Sequence, residues 1–208
     1  TFDAADTSGS QVLDRSGNGL AGTAVNTTSV AGKINQALSF SGAGSYVSVG
    51  DNAGLRLAHD LTLAAWIRTT NYSQKQDFLS KYDFTGSESG YLLQVLPSGV
   101  VNLHVGGNNL LSGSRDAADT TPVNDGQWHH VAVVITVGQS VAFYIDGRLS
   151  STAAVQTAPA AVGAPLYIGT FPGSYNGSPF TGALDDVWAF ASALTAAQVA
   201  SLAAGTGS

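Results

Sequence analysis

The sequence predicts an all-β protein, an antiparallel two-sheet sandwich or jelly roll closed by one short C-terminal helix. Three observations carry this reading. Short runs of alternating and β-branched residues recur along the chain, turn residues separate them at sandwich spacing, and a helical signature occurs at the C-terminal end.

Taken in order, "ALSFSGAGSYVSVG" reads as two short strands about a glycine-rich turn, with Tyr46, Val47 and Val49 supplying β-propensity. "LTLAAWIRTT" alternates, with Leu61, Leu63, Ala65 and Ile67 on one face and Thr62, Ala64, Trp66 and Arg68 on the other. "DFLSKYD" follows. In "YLLQVLPSGVVNLHVGG", Pro97-Ser98-Gly99 predicts a hairpin turn between two alternating strands. "WHHVAVVITVGQSVAFYIDGRLSS" reads as a second hairpin, closed by Gly138-Gln139-Ser140 and ending in an Asp146-Gly147 turn. "APLYIGT" and "GALDDVWAFASA" complete the strands. The helix is "TAAQVASLAAG", where Thr195 and Gln198 make a capping box and Gly205 is the stop. There is no internal repeat or linker-like shift, and neither side of position 110 has strands enough for its own core. Residues 1–208 are therefore expected to form one domain.

The chain is 44% hydrophobic, ample for a core, and only 11% charged, with a net charge of −6. Its eight Lys and Arg residues are scattered from Arg15 to Arg148, which argues against a nucleic-acid partner. The absence of Cys excludes disulfides and thiolate chemistry. No run approaches the roughly 20 apolar residues of a membrane-spanning helix, so no membrane insertion is expected. The chain opens on "TFDAADTSGS" without Met, and is expected to be a processed product or a module of a longer protein.

"GNGLAG" at residues 17–22 matches G-x-G-x-x-G, the glycine pattern of a dinucleotide turn. That reading fails. "TAVNTTSVAGK" follows with no helical period, and the next acid after Asp14 is Asp51, too far on for a ribose contact. The glycines fit better as a sharp loop that turns carbonyls inward. Calcium takes six to eight oxygen ligands. Asp14 and Asn18 can supply some, and Asp185, on a strand face with Val187 and Ala189, is expected to be partly buried and so in need of a partner or a metal. The competing reading is an Asx-turn at Asp14 and a solvated strand-end acid at Asp185.

Glycosidase chemistry needs a pair of carboxylates. The chain has one glutamate, Glu88, and no acids at strand spacing of two or four; Asp77 with Asp83 and Asp116 with Asp119 are expected in or beside turns, solvated. "GSESG" carries Glu where a serine nucleophile would stand. His129 and His130 are strand neighbours, so they face opposite ways, one packed and one solvated. His104 with Tyr91 or Tyr82 could meet across strands as a lyase pair, but the arginine that would neutralise a uronate is not visible on those strands.

Together "FDAADTSGSQVLDRSGNGLAGT", "GKINQALSFSGAGSYVSV", "LTLAAWIRT", "DGQWHHVAVVI", "AFYIDGRL", "LYIGT" and "FTGALDDVWAFASALTAAQV" resemble the concanavalin A-like, laminin-G-like jelly-roll domains over nearly the whole chain. The resemblance implies two stacked sheets of about six or seven strands each, with the N- and C-terminal strands paired so that Asp14 comes near Asp185. It also implies a structural calcium involving Asp14, Asn18 and Asp185, with Asp3 a weaker candidate. Such domains are mostly secreted or surface-anchored, and many are non-catalytic modules tethered to carbohydrate-active enzymes or adhesins.

Sugar binding wants aromatic platforms beside fixed polar groups. If the valines of "VVNLHV" face the core, Asn102 and His104 face outward beside Gln94, and Trp66 and Arg68 are expected to complete that cluster. The alternative for Trp66 is a secondary core under the loops. Loop aromatics Tyr72 and Tyr175 offer a second surface. The sequence thus predicts a non-catalytic, calcium-stabilised carbohydrate-binding module of a secreted or surface bacterial protein, with a polysaccharide or glycan as partner. A structural or adhesive protein-binding domain and a polysaccharide lyase are the alternatives.

Overall fold

The computed structural model describes residues 1–42, 44–85, 88–106, 116–154, 158–172 and 178–205. Among these residues, sixteen strands form two antiparallel sheets that face each other. The first sheet contains β1 (Thr7–Ser8), β2 (Gln11–Val12), β3 (Gly22–Val25), β6 (Tyr46–Val49), β8 (Gln76–Asp83), β9 (Ser89–Val95), β10 (Val100–Val105), β11 (Asp116–Pro122) and β15 (Leu166–Ile168). Its spatial order is β1-β2-β3-β6-β15-β8-β9-β10-β11. The second contains β4 (Thr28–Ala31), β5 (Gln36–Ser41), β7 (Leu61–Arg68), β12 (His129–Thr136), β13 (Ser140–Ile145), β14 (Arg148–Ala154) and β16 (Thr181–Phe190), in the order β14-β13-β12-β7-β16-β5-β4.

Period-two alternation builds the core. Leu61, Leu63, Ala65 and Ile67 of β7 and Val131, Val133 and Ile135 of β12 meet Tyr91, Leu93 and Val95 of β9 and Val101, Leu103 and Val105 of β10 in one buried cluster drawn from both sheets. The outer face of the second sheet has a different use. Ala64 and Ala132 are small enough for α1 (Ala196–Ala203) to lie over them, and Val199 and Leu202 pack there with Val134 and Tyr144. The helix starts where expected: Thr195 and Gln198 form the reciprocal capping box, and Gly205 follows the end with φ of +69°.

The β9–β10 hairpin turns at Pro97-Ser98-Gly99, with the Gly99 N–H donating to the Leu96 carbonyl. Asp146 and Gly147, both at positive φ, make the two-residue turn between β13 and β14. Several expectations are corrected. The first sheet has nine strands rather than six or seven. β5 and β6, the two strands expected about the glycine-rich turn, are present and belong to different sheets. The N- and C-terminal strands do not pair: β1 and β2 lie in the first sheet, whereas β16 lies in the second, between β5 and β7. Asp77 and Asp119 lie within strands and are buried rather than solvated, whereas Asp116, the first residue of β11, is exposed as expected.

Candidate functional site

The outer face of the first sheet carries a continuous polar network. The pairing register places Asp77 of β8 opposite Gln94 of β9, and Gln94 opposite Asn102 of β10. His104, two residues along β10, stands opposite Asp116 of β11. The Gln94 amide donates to Asp77 Oδ1 at 2.6 Å, and the Asn102 amide donates to Gln94 Oε1 at 3.2 Å and to Asp116 Oδ1 at 2.9 Å. The same Asp116 oxygen lies 2.9 Å from His104 Nδ1. His104 Nε2 lies 3.1 Å from the Tyr82 hydroxyl, which donates to Glu88 Oε2 at 2.7 Å.

The electrostatics follow from burial. Asp77, 1% exposed, has its carboxyl pushed up to about 6 by desolvation, only partly offset by the Gln94 amide. Asp116, at the open edge, is held below the ordinary carboxylate range chiefly by the His104 ring. Because both His104 ring nitrogens face oxygen atoms, the ring orientation is fixed from both sides.

An aromatic platform adjoins this network. Tyr82, Leu92 and Phe171 form a small cluster on the same outer face. Phe84 packs on it, its ring 6.1 Å from Phe171 at 31° and 5.8 Å from Tyr82, and stays 48% exposed. The His104 ring, 5.2 Å from Tyr82, joins the platform to the polar chain. Gln94 and Asn102, each 4% exposed, and Asp77 are buried beneath this face, so the polar groups that reach the surface beside the exposed ring are Asp116 and, in part, His104 and Glu88.

Of the residues expected from sequence, Gln94, Asn102 and His104 come together here. Trp66 and Arg68 do not: β7 belongs to the other sheet. Trp66 is 4% exposed, boxed by His130 at 5.3 Å and by the Lys33 ammonium 4.6 Å above its ring. This is the secondary-core reading. Arg68 instead lies over Trp128 at 4.9 Å. Tyr72 is 58% exposed on the loop after β7, with no hydrogen bond to the network among the described residues. Tyr175 lies outside the described residues. Tyr82, Phe84, Glu88 and Asp116 are members that the sequence reading did not assemble. Continuing the alternation of "SKYDF" past the strand end would have put Tyr82 and Phe84 on one face.

The residues considered for a cation are arranged differently from a shared ligand set. Asp14 accepts from the N–H groups of Ser16, Asn18 and Leu20 and from the Ser16 hydroxyl. Burial raises its pKa and these donors more than offset that, leaving it lowered. Asn18 donates its amide to Ser16 Oγ. The loop thus turns N–H groups toward Asp14, an Asx-type arrangement. Asp185 is fully buried, opposite Trp66, and accepts from the N–H groups of Lys33, Ile34 and Asp186; desolvation still pushes its carboxyl up to about 6. Both carboxylates are thus already engaged by backbone N–H groups, with which an ion held by Asp14 and Asp185 would have to compete. Among the described residues no group of three His, Asp or Glu side chains is placed to hold a metal, and no helix is long and apolar enough to cross a membrane.

His129 and His130 face opposite ways. His130 is buried and held down to about 4 by desolvation, while His129 sits between Asp125 at 3.1 Å and Asp146 at 2.9 Å. Tyr91 points into the core, donating to the Leu55 carbonyl, so Tyr82 is the tyrosine that meets His104.

No curated protein matches this chain. Among solved structures, it is similar to the binding domain of Paraclostridial Mosquitocidal Protein 1, with a TM-score of 0.75 and 16% identity over 95% of this chain and 50% of that one. The binding domain of botulinum neurotoxin DC, solved in complex with SialylT, gives 0.72 and 15% over 94% and 48%. The botulinum neurotoxin serotype G binding domain gives 0.71 and 13% over 91% and 47%. The likeness is one of fold, and the chain spans about half the length of those structures. Residues 41–200 match the Laminin_G_3 family model, described as the concanavalin A-like lectin/glucanases superfamily, and the chain belongs to that family.

Proposed function

We propose that this chain is a non-catalytic carbohydrate-binding module and that its glycan site is the outer face of the first sheet. The observation that carries the reading is the exposed Phe84 ring, backed by Phe171 and Tyr82, beside the His104–Asp116–Asn102–Gln94 chain. A sugar presents an apolar C–H face and a rim of hydroxyls; the surface offers the Phe84 ring for the first and Asp116 and the His104 edge for the second, with buried Asn102 and Gln94 holding them in place. The fold supports the reading too, since the botulinum neurotoxin DC binding domain was solved with SialylT, and cell entry of botulinum neurotoxin type C, another solved relative, depends on interaction with two ganglioside molecules. A secreted or surface location and attachment to further domains belong to the same proposal. A glycan array followed by affinity electrophoresis tests it: retention by at least one glycan, weakened by Phe84→Ala, is expected. No retention by any glycan would favour a protein-binding or structural role, as in the neurotoxin binding domain solved with rat synaptotagmin II.

The Tyr82–His104 contact is also the pair a β-elimination would use, although Tyr82 donates its proton to Glu88. Incubation with uronate polymers, followed by absorbance of unsaturated ends, is expected to show no turnover.

Calcium is part of the proposal in a narrower form. What supports an ion at this end of the sandwich is a gathering of acids, only partly offset by Arg15 and the chain's amino group. The Asp186 carboxyl is raised by burial and by the neighbouring Asp3 and Asp6. Binding by Asp14, Asn18 and Asp185 would require the ion to displace N–H donors already in place. A chelator is expected to lower the melting temperature, with calcium restoring it; an unchanged melt would remove the ion.

A further inference from the structure

We propose that the end of the sandwich beside the glycine-rich loop is a second binding site, for a small apolar group such as one aromatic ring or a short branched alkyl chain. A cavity of about 130 Å³ lies there between the sheets. Its cause is readable in the sequence. β3 and β6 present Gly22, Val47 and Val49, and β16 presents Val187 and Ala189 after the bulge at Asp185–Trp188. Facing sheets stand roughly 10 Å apart, and residues this small do not meet across that gap.

The chemistry of the walls selects the occupant. Phe2, Val12, Val47, Leu79, Ile168 and Val187 line it. Among the described residues Trp66 Nε1 and His130 Nδ1 are buried without a partner and Asp6 Oδ1 has its ion pair with Arg15 but no hydrogen bond, and none of these three residues lines the cavity. The pocket opens to solvent at one side, where Leu13 is 38% exposed, and its inner wall is apolar; apolar cavities of about 150 Å³ take benzene or xenon. The mouth is formed by Thr1, Asp14, Arg15 and Ser16. Asp14 there is satisfied by loop N–H groups and Arg15 is ion-paired with Asp6, so the rim favours an uncharged polar head on the ligand. The site lies between the sheets and is independent of the proposed glycan face.

Benzene is the probe. Titrated into the whole chain, it is expected to shift the methyl resonances of Val47, Leu79 and Ile168 saturably and to raise the melting temperature by about 2–4 °C. Val49→Phe fills the space and is expected to abolish both responses, while Phe84→Ala on the glycan face leaves them intact. If Val49→Phe does not fold, Ala189→Leu fills the same space from the opposite sheet and carries the comparison. Unmoved methyl signals, a response that never saturates, or a folded filled variant that responds like the original chain would each overturn the proposal.

Discussion

The Nε2 atom of His104 stands 3.1 Å from the hydroxyl of Tyr82, while Nδ1 of the same ring lies 2.9 Å from Asp116. Tyr82 is at once a polar partner and a wall of the platform that Phe171 and Phe84 complete. One residue therefore joins the two halves of the site. The ring face and the hydrogen-bonding groups are fixed relative to each other, which would lower the ordering cost of binding the proposed glycan.

Phe84 is the residue to remove first. Its ring is half exposed, so Phe84→Ala is expected to change stability by no more than about 0.5 kcal/mol. Glycan affinity is expected to fall by about tenfold or more, because an exposed anchor ring carries a large share of a small interface. Affinity electrophoresis read alongside a thermal melt checks both halves. Undiminished retention by the folded variant would move the site elsewhere.

Asp77 gives the face a pH signature. Its folded pKa of about 6 lies above the ordinary 3.8, so its stabilising contribution is full below about pH 4 and lost as pH rises through 6. Asp77→Asn keeps an oxygen for the Gln94 amide and cannot ionise. Relative to this variant, the native chain is expected to lose up to about 3 kcal/mol of stability between pH 4 and pH 8. His130 acts oppositely over part of this window: its pKa is depressed to about 4, so the stability from its neutral form is lost as pH falls. The comparison must accordingly be native against variant in denaturant melts at each pH. A difference that does not change with pH would mean that Asp77 is not buried as a carboxylate.

Asp14 separates loop building from metal binding. Its carboxylate takes three backbone N–H groups of the segment from Ser16 to Leu20. Asp14→Ala is expected to cost about 1–3 kcal/mol by leaving these donors to water. The loss should persist in excess chelator. If native and variant melt alike once the metal is stripped, the carboxylate serves the ion alone.

The face was legible where it depended on alternation within one strand. "YLLQV" and "VVNLHV" put Gln94, Asn102 and His104 outward by period two, and the short hairpin between them fixes their register. Trp66 and Arg68 were misplaced because alternation says which residues share a face and not which sheet a strand joins. β7 pairs with β12 and β16, far away in sequence. Asp116 reaches His104 only through the β10–β11 pairing, and the bulge between Asp77 and Leu79, which sends both Phe78 and Leu79 into the core, hides from any strict period that Asp77 shares the face of Gln94. At the glycine-rich loop the motif was visible, but the direction of its backbone groups was not. The same three glycines can aim carbonyls at a cation or N–H groups at Asp14.

Gly90 offers the sharpest test that the site is built by the sheet beneath it. It stands opposite Tyr82 in the β8–β9 pairing, with φ of +95°, and its N–H donates to the Ala160 carbonyl. A Cβ at this position would lie 2.0 Å from the Lys81 carbonyl oxygen and 2.8 Å from a Val162 methyl carbon. The nearer atom is backbone, so a side chain cannot turn away to relieve the clash, and the left-handed φ adds strain of its own. Gly90→Ala is therefore expected to push β9 off β8 and to cost several times the ~1 kcal/mol of a typical substitution. The strand shift would carry Tyr82 away from His104. Glycan retention should thus fall even at temperatures where the variant remains folded by far-ultraviolet circular dichroism. A variant that melts like the original chain and keeps its retention would show that β8 and β9 are not paired in this register.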